Sequence, residues 1–143
     1  MELVVKTLIV AGLGVLELWV AIPAGLAFNL HPLPTALASG VGSILGALFV
    51  IVIGDNLRNW IVKKKTKANK KKGSLDKIWD RYGVVGLGLF SPLITGAPLG
   101  AAIGVTLGSP PKRLLLWMSL GIIIWTIILT GLATYGFAFF KNL

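Results

Sequence analysis

With 143 residues, 55% of them hydrophobic, only 13% charged and a mean hydropathy of +0.85, the chain carries more apolar surface than a soluble domain of this length can bury. It has no cysteine, which excludes disulfide, thiolate and zinc-finger chemistry, and the single His31 leaves no histidine-based metal site. The net charge of +9 is not that of a nucleic-acid module, because ten of the fourteen Lys and Arg residues lie between Arg58 and Arg81, in one block between apolar stretches.

Residues 3–30 form the first apolar stretch, interrupted by Lys6, Glu17, Pro23 and Asn29. Its start lacks the basic residues and small-residue cleavage site of a secretory signal, so it is expected to stay in the membrane. The step His31-Pro32-Leu33-Pro34 breaks it. Residues 35–53 follow without interruption, enough to cross a hydrocarbon core of about 30 Å. Residues 55–81 are the basic linker. Residues 82–107 are again apolar and again broken, by Pro92 and Pro98, before Ser109-Pro110-Pro111-Lys112-Arg113. Residues 114–140 are a last span, long enough to cross with tilt.

The order is broken, whole, linker, broken, whole. Ala21-Ile22-Pro23-Ala24-Gly25-Leu26-Ala27 in the first broken segment is echoed by Ala97-Pro98-Leu99-Gly100-Ala101-Ala102 in the second, which points to an internal repeat. Four plain spans with the linker inside would put Lys112 and Arg113 outside. A re-entrant second segment returns them to the cytoplasmic side, where basic residues belong. The expected fold is therefore all-α integral membrane, with two inverted repeats, each a re-entrant helical hairpin followed by a transmembrane helix. Four kinked helices remain the alternative. The expected boundaries are an N-terminal helix and first hairpin at 1–34, a transmembrane helix at 35–57, a basic cytoplasmic linker at 58–81, a second hairpin at 82–111 and a transmembrane helix at 112–143. The expected location is the cell membrane, as a multi-pass protein.

Glu17 stands out as an acid within an apolar run, where a charge costs at least about 2.5 to 3.5 kcal/mol. It reads as a proton- or ion-coupling group, or else as a partner of Lys6. Asp55, at the end of a span, is a second candidate for coupling or gating, with a local pair to Arg58 as the plainer reading. Pro23, Gly25 and Asn29 in the first half, and Ser91, Pro92, Thr95, Gly96, Pro98 and Gly100 in the second, mark the expected hairpin tips and a substrate site. Broken helices there expose half-helix N-termini to an anionic group. Gly96, Gly100, Gly104 and Gly108 recur every four residues, and Gly42 and Gly46 form a shorter stripe; the spacing reads as helix packing. Trp60, Trp79 and Trp117 read as interfacial anchors, and the lysines from Lys63 to Lys72 as orientation charge.

Several of these residues carry a family resemblance. Glu17-Leu18-Trp19-Val20-Ala21-Ile22-Pro23-Ala24-Gly25 is similar to the Glu-x-x-x-Ala-Ile-Pro-x-Gly pattern of the small multidrug export proteins, a branch of the DedA and VTT membrane-protein superfamily. Tyr82-Gly83-Val84-Val85-Gly86-Leu87-Gly88-Leu89-Phe90-Ser91-Pro92, the step from Pro111 to Arg113 leading into Gly121 and Trp125, and the pair Gly54-Asp55 extend the resemblance to the C-terminus. It implies two opposed re-entrant hairpins and proton-linked transport or lipid translocation. The chain departs from the DedA pattern in having no arginine between Phe90 and Pro111, which argues against a phosphate headgroup as cargo.

The leading functional expectation is a proton- or ion-coupled exporter of a small molecule, with its site between facing hairpins. The alternatives are a lipid flippase or scramblase, and a non-transporting structural membrane protein. No enzyme activity and no cofactor are expected, since no catalytic constellation can be assembled. The lipid bilayer is the expected partner. Two spans and two hairpins leave much surface uncovered, with room for a homodimer or higher oligomer.

Overall fold

The computed structural model describes residues 1–64 and 82–141. Most of the basic linker, with Trp79 and residues 65–72 of the lysine cluster, lies outside the described residues, as do the side chains of Trp60 and of residues 61–64. The described residues are helical: α1 (Glu2–Leu16), α2 (Leu18–Ala27), α3 (Pro32–Lys64), α4 (Val84–Ile94), α5 (Ala97–Thr106) and α6 (Pro111–Lys141). Within α3 and α6, the stretches Pro32–Asn56 and Pro111–Gly136 are long and apolar enough to cross a membrane. The other four helices have 15, 10, 11 and 10 residues. At 1.5 Å per residue they rise only about 15 to 22 Å, short of a crossing. Each forms half of a helical pair that leads into one of the long helices.

The two pairs end in the same way. After α2, Asn29 takes φ 58°, its N–H donates to the Leu26 carbonyl (3.0 Å) and the Leu30 N–H donates to the Gly25 carbonyl (3.1 Å). After α5, Gly108 takes φ 85°, its N–H donates to the Val105 carbonyl (3.0 Å) and the Ser109 N–H donates to the Gly104 carbonyl (3.0 Å). Both are left-handed caps that satisfy the last carbonyls of a helix, and Gly and Asn are the residues that accept that conformation. The match holds at one constant offset, Asn29 with Gly108, Leu30 with Ser109 and Pro32 with Pro111. The packing repeats at the same offset. A Cβ on Gly25 would run into Thr35, and a Cβ on Gly104 would run into Leu114 at 2.6 Å.

Close approaches hold each pair to its long helix. A Cβ on Gly14 would meet the Ser39 backbone at 2.5 Å, Gly42 lies against the Ala11 carbonyl, and Gly46 lies against Val15. In the second half Gly88 lies against Trp117 and Met118, and Gly121 against the Gly88 carbonyl. Only glycine lets backbones approach so closely. Gly40 of α3 faces Thr126 of α6, while further along α3 Gly54 lies against Val105 in the last turn of α5 and the Arg58 guanidinium lies beside Gly108 in the turn before α6. The long helices therefore pack antiparallel, and Ala47, Ile51, Ala97, Ala101, Leu114, Met118 and Ile122 form the core between them and α5.

Candidate functional site

The breaks fall at Glu17 and at Thr95-Gly96. Glu17 is extended (φ −157°, ψ 125°); its N–H closes α1 on the Leu13 carbonyl (2.7 Å) and its carbonyl opens α2 by accepting the Ala21 N–H (3.2 Å). Its carboxylate caps neither helix, is exposed, and has no hydrogen bond or ion pair among the described residues. Lys6, the partner considered from the sequence, pairs instead with Glu2 at 2.7 Å. At the second break the Thr95 N–H closes α4 on the Ser91 carbonyl (3.0 Å), and Gly96 (φ 80°, ψ 157°) opens α5 by accepting the Gly100 N–H (3.1 Å). Pro98 in the first turn of α5 gives up no hydrogen bond that the helix could have made. At the offset of the caps, Glu17 and Gly96 are counterparts.

The two breaks abut. The Trp19 indole N–H, just after the first, donates to the Leu93 carbonyl just before the second (2.7 Å). That carbonyl lost its helical partner when α4 ended. A Cβ on Gly96 would lie 3.7 Å from the Leu16 carbonyl oxygen. Both breaks also sit beside the middle of the long helices. Gly14 and Val15 lie against Ser39, Gly42 and Gly46, near the centre of Pro32–Asn56. In the second half the Trp125 indole N–H donates to the Leu89 carbonyl (2.7 Å), near the centre of Pro111–Gly136.

The three expected tip residues of the first half are elsewhere. Pro23 lies inside α2, past the break, and Gly25 packs on Thr35. Pro23 costs α2 one hydrogen bond, to the Trp19 carbonyl, which a short helix tolerates. Asn29 caps the far end of α2. In the second half Pro92 lies inside α4, Thr95 and Gly96 form the break, and Ser91 is buried with an unpartnered hydroxyl against Gly100. Of the four-residue glycine series, Gly100 and Gly104 are inside α5, while Gly96 and Gly108 cap its ends with positive φ. Asp55 lies inside α3, at the end of its apolar stretch Pro32–Asn56 and away from the breaks, and accepts a hydrogen bond from the Asn59 amide (3.3 Å) rather than pairing with Arg58. Trp117 is half-buried against Gly88. Among the described residues no group of His, Asp and Glu could hold a metal ion.

Sequence reasoning missed an apolar cleft of about 330 Å³ between α2 and α6, lined by Trp19, Ile22, Pro23, Leu129, Leu132 and Ala133. Its walls come from helices far apart in sequence, so no local pattern marks it.

Residues 17–128 match the profile of a family described as "Putative small multi-drug export protein". The chain belongs to this family. Together with the long apolar helices, membership makes it a membrane protein. The region shared with the export family opens on Glu17, the first break, and takes in the second break and the whole of α2 to α5. Comparison with curated proteins and with solved structures gives no match.

Proposed function

We infer that the chain is a multi-pass transporter of the cell membrane that exports a small molecule through the junction of two re-entrant hairpins, α1–α2 and α4–α5. The observation that carries this reading is that the two breaks meet beside the middle of both long helices, joined by the Trp19 to Leu93 hydrogen bond. Broken backbone at membrane depth persists where it is covered by protein or lines a wet cavity, the usual setting of a transport site. The antiparallel long helices and matching caps support an inverted repeat, in keeping with the DedA-like motifs. Arg58 beside Gly108 supports a cytoplasmic end shared by the linker, Lys112 and Arg113. The family description supports export as the direction.

Glu17 is the coupling group in this reading. It is the acid at a break, and its carboxylate is not tied to a basic partner among the described residues. Asp55 is the weaker candidate, being placed at the end of the apolar stretch of α3, away from the breaks. Proteoliposomes loaded with the pH dye pyranine test the assignment: addition of a panel of lipophilic drugs to wild type moves protons, and Glu17→Gln abolishes that movement while retaining the fold. Equal proton movement in the Gln variant removes Glu17 from the mechanism. Gradient-independent exposure of fluorescent phospholipid to dithionite would instead identify a scramblase.

A further inference from the structure

At each break a helix ends, and its last carbonyls lose the N–H groups four residues ahead. In an unbroken helix the Gly14 carbonyl would take the Leu18 N–H, and the Leu93 carbonyl that of Ala97. These two carbonyls are counterparts at the offset set by the caps, and each is taken up by a side chain from another helix. Trp19 of α2 serves Leu93. The hydroxyl of Ser43, on α3, donates to the Gly14 carbonyl at 2.6 Å.

Ser43 does this against the habit of the molecule. Thr7, Thr35, Ser39, Thr95, Thr106 and Thr134 each donate to the carbonyl four residues earlier, the ordinary way for a helix to satisfy a hydroxyl. Ser43 has the Ser39 carbonyl at the same spacing and passes it over for α1. Gly42 and Gly46, on either side of it, lie against the Ala11 carbonyl and Val15, and bring the last turn of α1 within reach of so short a side chain. The bond is wholly buried. In the second half the counterpart of Ser43 is Ile122, an apolar core residue with no donor, so the Leu93 carbonyl depends on Trp19 from the other half. The break that carries the acid is fastened within its own half, and the break that carries none hangs on it.

We propose that Ser43 is a positioning residue for Glu17, which it serves by fixing the end of α1 on α3. The Glu17 carboxylate makes no hydrogen bond or ion pair among the described residues, so its backbone alone decides where it stands. That backbone is joined to α1 through its N–H on the Leu13 carbonyl. Gly14 is the next residue, so Ser43 ties the same turn of α1 to the middle of a helix long enough to cross the membrane. The inference rests on Glu17 as the coupling group, and adds that proton movement depends on a hydroxyl spent on the backbone three residues away.

Drug-driven proton movement in the pyranine proteoliposomes tests the role, with the most active drug of the panel titrated and rates taken per reconstituted chain. Ser43→Ala is expected to lower the maximal rate about fivefold, the effect of one ordinary hydrogen bond, and to leave the half-saturating drug concentration unchanged. Ser39→Ala is the matched control: this serine is equally buried one turn away, its hydroxyl bonds within α3, and its loss keeps the wild-type rate. Hydrogen exchange of the amides at 14–20, compared in nanodiscs, rises in Ser43→Ala and not in Ser39→Ala. An unchanged maximal rate in Ser43→Ala overturns the proposal and leaves Glu17 as coupler. An equal loss in both variants, or unchanged exchange at 14–20, overturns it as well and reduces Ser43 to packing. Wild type that moves no protons with any drug removes Glu17 as coupler, and the role of Ser43 with it.

Discussion

Glu17 and Gly96 occupy the same position in the two halves and solve it differently. Each opens a ten-residue helix, and each leaves the first N–H groups of that helix without helical partners. Gly96 does so with a positive φ, whereas Glu17 does so in ordinary extended backbone, so Glu17 was not selected for its conformation. A charge-neutral replacement at Glu17 should therefore cost function and spare the fold: Glu17→Gln is expected to melt within a degree or two of wild type, since surface changes away from special features stay within about 0.5 kcal/mol. Asn29 and Gly108 behave in the opposite way. Gly108→Ala places a side chain in a left-handed cap beside Arg58 and should destabilise by about 1–2 kcal/mol, whereas Asn29→Gly should leave the melting temperature unchanged or raise it. A drop with Asn29→Gly would mean that the Asn side chain, not the backbone, holds that turn.

At the scale of elements, the long helices were legible because about twenty apolar residues in a row leave little else to be. The short pairs were legible as interruptions, but the sites of interruption were misplaced in the first half. Pro23 and Pro92 draw attention, yet both lie inside helices, where a proline removes one hydrogen bond and leaves the rest of the helix intact. The breaks lie where a new helix is capped. In the second half Thr95-Gly96-Ala97-Pro98 announces this through its glycine and its proline in the first turn. In the first half Leu16-Glu17-Leu18 announces nothing, and only alignment of the two caps places Glu17 opposite Gly96. The echo of Pro23 with Pro98 sets a different register and leads away from it. The contact between breaks could not be read at all, because Trp19 and Leu93 are distant in sequence. Trp19→Phe removes the donor and leaves the Leu93 carbonyl buried or wet without its partner. It should cost about 1–3 kcal/mol, read as a lower melting temperature with the helices retained by circular dichroism. An unchanged melting temperature would show that the breaks need no such tie.

At the scale of the whole molecule, charge and packing point the same way. Arg58, at the end of α3 that leads into the linker, lies beside Gly108, just before Lys112 and Arg113, so these basic residues gather at one end while the turn at His31 lies at the other. The chain has no cysteine, which makes it a ready background for accessibility mapping. With an impermeant maleimide, His31→Cys should react from outside intact cells and Lys112→Cys only after permeabilisation. Reaction of both from the same side would replace the inverted halves with four kinked spans. The unequal breaks have a further consequence. Only the first carries an acid, so with Glu17 as coupler each chain moves at most one proton per cycle. One pH unit then supplies about 1.4 kcal/mol and 100 mV of membrane potential about 2.3 kcal/mol, which together cap the gradient of a neutral cargo at roughly 500-fold. A steeper steady-state gradient would require a second ionisable group, and the Thr95-Gly96 break has none to give.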